Sequence, residues 1–165
     1  MKHIVSVLVE NKPGVLSRTA GLFARRGFNI TSLTVGETDD PTVSRMTIVV
    51  DGDDHIIEQV EKQLNKQIDV IRVRSLNADF STRRELLLVK VNCTQKNRGQ
   101  VIDIATIMGA NIVDMSHSTL TLEMTDRPER LNLLLDMITP FGIAELARTG
   151  MVALQKGGEA ITASK

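Results

Sequence analysis

The sequence predicts an α+β protein built from two tandem domains of β-α-β-β-α-β order, and three observations lead there. The apolar, β-branched run from Ile4 to Val9 stands ahead of a Pro13-Gly14 turn and an amphipathic helical stretch. Two further extended stretches, Asn29 to Val35 and Val43 to Val50, flank the turn-forming segment Gly36-Glu37-Thr38-Asp39-Asp40-Pro41 and are followed by a second helix and a last strand. The order then restarts, with Gly27-Phe28-Asn29-Ile30 echoed by Gly109-Ala110-Asn111-Ile112 at an offset of 82 residues (111 − 29). Each repeat is a ferredoxin-like unit.

The first strand carries Val5, Val7 and Val9 on one face and Ile4 and Leu8 on the other, so it belongs at a sheet centre covered from two directions. A helix over 14–26 places Val15, Thr19 and Leu22 along one line with Leu16, Ala20 and Phe23 beside it; Arg25 and Arg26 suit its C-terminal pole and Gly27 its left-handed stop. Asp53 is the expected cap of the next helix, whose Ile57, Val60 and Leu64 keep core spacing, and Val70 to Leu76 closes the unit. The polar segment 77–83 has no period and marks a boundary, giving a first domain over 1–77, a linker over 78–84 and a second domain over 85–154.

In the second domain the pattern predicts strands over 86–91, 112–116 and 119–125, helices over 100–108 and 128–139, and a final strand region over 143–154. Asp126 with Glu129 reads as a capping box around Pro128 in the first helical turn. The tail over 155–165, with Gly157-Gly158 and few large apolar residues, is expected to be disordered.

Composition narrows the function. Twenty basic and twenty acidic side chains balance, and four Phe with no Trp or Tyr offer little for base stacking, so nucleic acid is not an expected partner. A single cysteine, Cys93, fits a reducing cytoplasm, and the sequence has neither a signal peptide nor a bilayer-spanning run, so no membrane association is expected. His3, His55 and His117 fall on three elements without ligand spacing, and turns and caps account for the Asp39, Asp40, Asp51, Asp53 and Asp54 cluster, so no metal site is expected. Asp114, Ser116 and His117 contain the residue types of a triad, but strand alternation separates neighbours and no nucleophile elbow is present. No catalytic residue is expected in this chain.

What remains is one helix N-terminus. Backbone N–H groups near Gly14, Val15 and Leu16 suit a carboxylate, and Asn11 and Asn29 each offer a donor and an acceptor, as an amino-acid zwitterion requires. A bland reading stands beside this one: Pro-Gly is a common turn after a strand, and Asn29 is also placed to follow a helix stop. The second domain's turn, Cys93 to Gly99, is longer and lacks proline, so Gly99 and Asn111 are weak counterparts.

Glu10-Asn11-Lys12-Pro13-Gly14-Val15-Leu16-Ser17-Arg18, Gly21-Leu22-Phe23, Arg26-Gly27-Phe28-Asn29-Ile30 and Ser32-Leu33-Thr34-Val35 resemble the ACT-domain N-terminus of the acetolactate synthase small-subunit family. The likeness continues through Thr38-Asp39-Asp40-Pro41, Ser44-Arg45-Met46-Thr47-Ile48, Arg84-Glu85-Leu86 and Glu145-Leu146-Ala147-Arg148-Thr149-Gly150, reaching about Leu154. It implies a non-catalytic regulatory subunit that activates a separate large catalytic subunit and confers valine feedback inhibition in branched-chain amino acid biosynthesis. Thiamine diphosphate, magnesium and usually FAD are then expected in that partner, with no cofactor in this chain. By the same resemblance Asn11, Gly14 and Asn29 match effector-contacting positions, with Val15, Leu16 and Ile30 as neighbours. ACT domains of this family pair side by side, so a homodimer is implied, with Gly14 of one chain facing Asn29 of the other. An ACT-type sensor of another amino acid, serving a different enzyme or a transcription factor, is the alternative.

Overall fold

The computed structural model describes residues 1–164 and contains two compact units, one made of residues 1–82 together with the segment from Met151 onward and the other of Arg83–Gly150. The first unit runs β1 (Lys2–Glu10), α1 (Val15–Arg26), β2 (Asn29–Glu37), β3 (Val43–Asp51), α2 (Asp54–Asn65) and β4 (Val70–Leu76). The chain continues as β5 (Ser81–Asn92), α3 (Arg98–Met108), β6 (Asn111–Met115), β7 (Thr119–Asp126), α4 (Pro128–Ile138), a 3-10 turn over Thr139–Phe141, β8 (Ile143–Arg148) and β9 (Val152–Gln155). Sheet orders β2-β3-β1-β4 and β6-β7-β5-β8 are the antiparallel ferredoxin-like arrangement expected of each repeat.

In the first unit, alternation along β1 decides which residues meet the helices. Val5, Val7 and Val9 pack with Met46, Ile48 and Val50 of β3, Leu22 and Phe23 of α1, and Val60 and Leu64 of α2. Phe23 meets Phe28 edge to face at 6.0 Å between ring centroids, which fixes the bend where α1 stops at Gly27 (φ 68°). In the second unit Leu87, Val89 and Val91 of β5 pack with Val101, Ala105, Leu131 and Leu134 in the same way, and Cys93 is buried among them. Asp53 caps α2 as expected, its Oδ1 accepting from Ile56 N at 2.9 Å.

The repeat extends to backbone irregularities. A bulge interrupts β2 between Ile30 and Ser32 and another interrupts β6 between Ile112 and Asp114, again 82 residues on (112 − 30). Register also shifts between Leu8 and Val9 where β1 meets β4, and between Lys90 and Val91 where β5 meets β8, at that same offset (90 − 8). A bulge adds a residue and so reverses which face the following side chains occupy; its recurrence means the two strands are aimed alike.

Three expectations change. The capping box at Asp126 is not formed: Arg127 is the residue before the helix, Asp126 Oδ1 accepts from Arg127 N at 2.7 Å, and its Oδ2 takes Arg130 Nε at 2.8 Å. Glu129 turns instead to Arg83, 2.8 Å away. The strand region over 143–154 is two strands, broken at Thr149 to Met151, with β9 pairing to β5.

The third change is the tail. Within the first unit, Met151, Ala153 and Ile161 are buried with Ile4, Leu8, Val43, Val49 and Leu76 on the sheet face opposite the helices. Lys156 N donates to Phe80 O at 2.8 Å, Arg74 pairs with Glu159 at 2.9 Å, and Arg45 Nη2 donates to Ile161 O at 3.3 Å. The expected disorder fails because the second face of β1 needs a cover and this strap supplies it; Lys165, the last residue of the expected tail, lies outside the described residues.

Replacing Ile161 by Ala removes a large buried apolar anchor of the strap and is expected to cost about 2 kcal/mol, read as a lower urea midpoint for the first unit. In the second unit, the Arg83 guanidinium holds the Glu129 carboxyl below the usual glutamate range. Its stabilising contribution is therefore present above the ordinary glutamate pKa and is lost as pH falls through the lowered folded value. NMR titration of Glu129 should show an ordinary carboxyl in Arg83→Ala.

Candidate functional site

The turn between β1 and α1 brings four charged side chains around an unfilled helix pole. Glu10 N donates to Asp69 O at 2.9 Å, placing the end of β1 against the turn that enters β4. From the first turn of α1, Arg18 reaches Asp69 Oδ2 with Nε at 2.8 Å and Nη2 at 2.7 Å, while Lys12 Nζ lies 2.6 Å from Glu10. Contact with the Glu10 carboxylate raises the Lys12 ammonium above its usual range, so it stays charged.

Gly14 sits at the N-cap with φ 84°, a left-handed conformation that favours glycine. A Cβ there would stand 2.8 Å from Arg18 Nη1, so the guanidinium lies directly over the glycine. No side chain caps α1 and no acidic residue occupies its first turn, in contrast to α2 with Asp53 and Asp54. Among the described residues the N–H groups of Gly14, Leu16 and Ser17 have no hydrogen-bond partner, and Val15 N reaches Lys12 O only at 3.4 Å. An unneutralised pole of this kind favours an anion.

Asn11 is oriented by its neighbours. Its backbone N donates to Thr42 O at 2.7 Å, and its Nδ2 donates to Glu37 Oε1 at 3.1 Å and Pro41 O at 2.9 Å. Both side-chain partners are acceptors, so the amide nitrogen faces the β2–β3 hairpin, and Oδ1 has no hydrogen-bond donor among the described residues. Thr38 and Asp40 stiffen that hairpin, with Thr42 N and Oγ1 donating to Asp40 Oδ1 at 2.9 and 2.7 Å; these bonds hold the Asp40 carboxyl below its usual range.

The six residues singled out from the sequence divide into two groups. Asn11, Gly14, Val15 and Leu16 lie at the N-terminal end of α1; Val15 is buried in the core, so only its backbone faces the turn, whereas Leu16 is half exposed. Asn29 and Ile30 lie beyond the other end, where Asn29 opens the edge strand β2 opposite Asp51 and Ile30 packs against the core. The 12 residues of α1 separate the groups by about 18 Å. One chain does not bring Gly14 and Asn29 together. Arg18, Lys12, Asp69 and Glu37 were not picked out from the sequence; Arg18, four residues after Gly14 on a helix, was the one with a local signal.

The corresponding turn of the second unit is braced by its own side chains, although α3, like α1, has no side-chain cap and no acidic residue in its first turn. Thr94 N donates to Asn97 Oδ1 at 2.6 Å, Asn97 N to Thr94 Oγ1 at 3.3 Å, and Arg98 Nη2 to His117 O at 2.8 Å. Arg148 makes a two-pronged contact with buried Glu85, Nε to Oε1 at 2.9 Å and Nη2 to Oε2 at 2.8 Å, so two segments that resembled the family meet in one ion pair. Among the described residues no group of three or more His, Cys, Asp or Glu is placed to hold a metal ion, and no helix is long and apolar enough to cross a membrane.

Comparison with known proteins bears on both halves of the chain. A family model described as the AHAS small subunit-like ACT domain matches residues 5–72, and one described as the small subunit of acetolactate synthase matches 84–157. A probable acetolactate synthase small subunit of Archaeoglobus fulgidus is 50% identical over 159 residues, spanning 96% of this chain and 99% of the relative. The acetolactate synthase small subunit of Mycolicibacterium smegmatis is 48% identical over 163 residues, spanning 99% of this chain and 96% of the relative. A crystal structure of the acetolactate synthase small subunit from Thermotoga maritima superposes with a TM-score of 0.89 at 37% identity, covering 96% of this chain and 99% of that one. With an ACT-type first unit and near full-length likeness to these proteins, the chain belongs to the acetolactate synthase small-subunit family.

Proposed function

We propose that this protein is the non-catalytic regulatory subunit of a cytoplasmic acetolactate synthase, activating the large catalytic subunit and conferring feedback inhibition by valine. The observation that carries the effector reading is the uncapped pole of α1 at Gly14, flanked by the Oδ1 of Asn11 and separated from Asn29 by the length of α1. An amino acid needs both ends of its zwitterion met. The pole suits the carboxylate and Asn11 Oδ1 suits the ammonium, while Asn29 and Ile30 would come from a second copy lying antiparallel along β2.

Edge pairing supports such a dimer. Strand β2 is an outer strand of its sheet, so a second β2 related by a two-fold axis would extend that sheet across both chains. That operation would run the two α1 helices in opposite directions and set Gly14 of one chain near Asn29 of the other. Thiamine diphosphate, magnesium and FAD belong, in this reading, to the catalytic subunit. Valine then acts by favouring one arrangement of the paired ACT domains over another, which requires different affinities for the two.

Calorimetric titration of the isolated protein with valine, leucine and isoleucine tests the site. Valine binding is expected, with Asn29→Ala weakening it about ten- to a hundredfold through loss of hydrogen bonds to charged ligand groups. Gly14→Asp, which places a carboxylate at the pole and a side chain on the Arg18 guanidinium, should abolish it. Undiminished binding in both variants would sink the assignment. Mixing the protein with the large catalytic subunit should raise pyruvate condensation and make it valine-sensitive; failure of the two chains to co-purify would instead favour a sensor for another enzyme.

A further inference from the structure

Within the first unit, the end of the strap and the β2–β3 hairpin enclose a cleft of about 530 Å3, a volume that suits a small-molecule ligand. Its floor is apolar and built from Leu8, Val43 and Ile161, which are buried together on the sheet face opposite the helices. The hairpin over 37–40 and the strap over 161–164 form its walls, and Arg45 of β3 completes the lining. No residue of the α1 pole takes part.

Arg45 is the residue that gives the cleft a chemistry. Its Nη1 donates to Ser6 Oγ at 3.0 Å and its Nη2 to Ile161 O at 3.3 Å, so two neutral acceptors hold the guanidinium. Among the described residues no carboxylate is within ion-pairing distance of it, and its other N–H groups have no acceptor. Arg74, on the same side of the sheet, has Glu159 at 2.9 Å. Partial burial pulls Arg45 below the usual arginine range, yet an arginine stays charged, and here nothing offsets the water it has lost. The hairpin holds the complementary group. Asp39 is exposed and lines the same cleft, and its carboxylate has no hydrogen bond or ion pair among the described residues, whereas Glu37 and Asp40 are engaged by Asn11 and Thr42.

We propose that this cleft binds a free α-amino acid with an aliphatic side chain: Arg45 takes the carboxylate, Asp39 the ammonium, and Leu8, Val43 and Ile161 the side chain. A ligand carrying one charge would leave the other group unmet, while a zwitterion satisfies both through charge-assisted hydrogen bonds. Arg45 also holds the strap at Ile161 O, so occupancy of the cleft favours the closed strap and resists its local opening. The site stands apart from the effector reading of the α1 pole and does not depend on it.

Calorimetry on the full chain compares leucine with isocaproate, which lacks the ammonium, and isoamylamine, which lacks the carboxylate, in wild type, Arg45→Gln and Asp39→Asn. Leucine is expected to bind wild type about tenfold or more tightly than either analogue. Arg45→Gln should weaken leucine about tenfold and leave isoamylamine unchanged, and Asp39→Asn should weaken leucine to a similar degree and leave isocaproate unchanged. Amide exchange at Ile161 and Thr162 should slow when leucine saturates the protein. Asp39 is exposed, so its variant keeps the test decisive if Arg45→Gln fails to fold. Leucine affinity unchanged in Asp39→Asn, or no leucine binding to wild type, overturns the cleft. Neither result bears on valine at the pole, whose variants are Gly14→Asp and Asn29→Ala.

Discussion

Burial of strand β1 on both faces is the constraint from which the rest of the first unit follows. Val5, Val7 and Val9 are shielded by the two helices, and Ile4 and Leu8 by the segment that begins at Met151. Each covered face contributes on the order of 25 cal/mol per Å2 of apolar surface removed from water, so leaving one open would forfeit a large share of a small domain's stability. The chain meets this requirement by returning to its first unit after completing its second.

The same strand positions the candidate site. Because β1 is fixed at the centre of the sheet, its last residue Glu10 and the turn after it are held between the β2–β3 hairpin, through Asn11, and the turn into β4, through Asp69. The pole of α1 is consequently rigid and open at once. Its own side chains neutralise one another in pairs, Arg18 with Asp69 and Lys12 with Glu10, without reaching the free N–H groups. The second unit builds an equivalent turn in which Thr94 and Asn97 bond each other's backbone N–H groups.

Much of this was legible in local sequence. Periodicity placed the strands and helices, Gly27 the stop of the first helix, and Asp53 a cap, because each signal acts over a few residues. Asn11, Gly14 and Asn29 stood out for the same reason, and the helix expected over 14–26 already set Gly14 and Asn29 at opposite ends, about 18 Å apart. What escaped was non-local. Ile161 is a lone large apolar residue among glycines and polar side chains, and only the unmet face of β1, far away in sequence, gives it a place. The bulge at Thr31 left no signal either, since an alternating pattern with one extra residue looks like an ordinary strand end, and Asp126 looked like a cap until Arg130 claimed its carboxylate.

The strap also sets the order in which the molecule is completed. Ile161 follows Leu8 by 153 positions (161 − 8), so it is made well after the strand it covers. At about 5–20 residues per second, that leaves one apolar face of the nascent first unit bare for roughly 8–30 s, far longer than a helix or hairpin takes to form. During that interval the half-made unit exposes an apolar face of the kind that favours aggregation. The segment from Met151 to Ile161, which looks dispensable on the page, thus ends that exposed period.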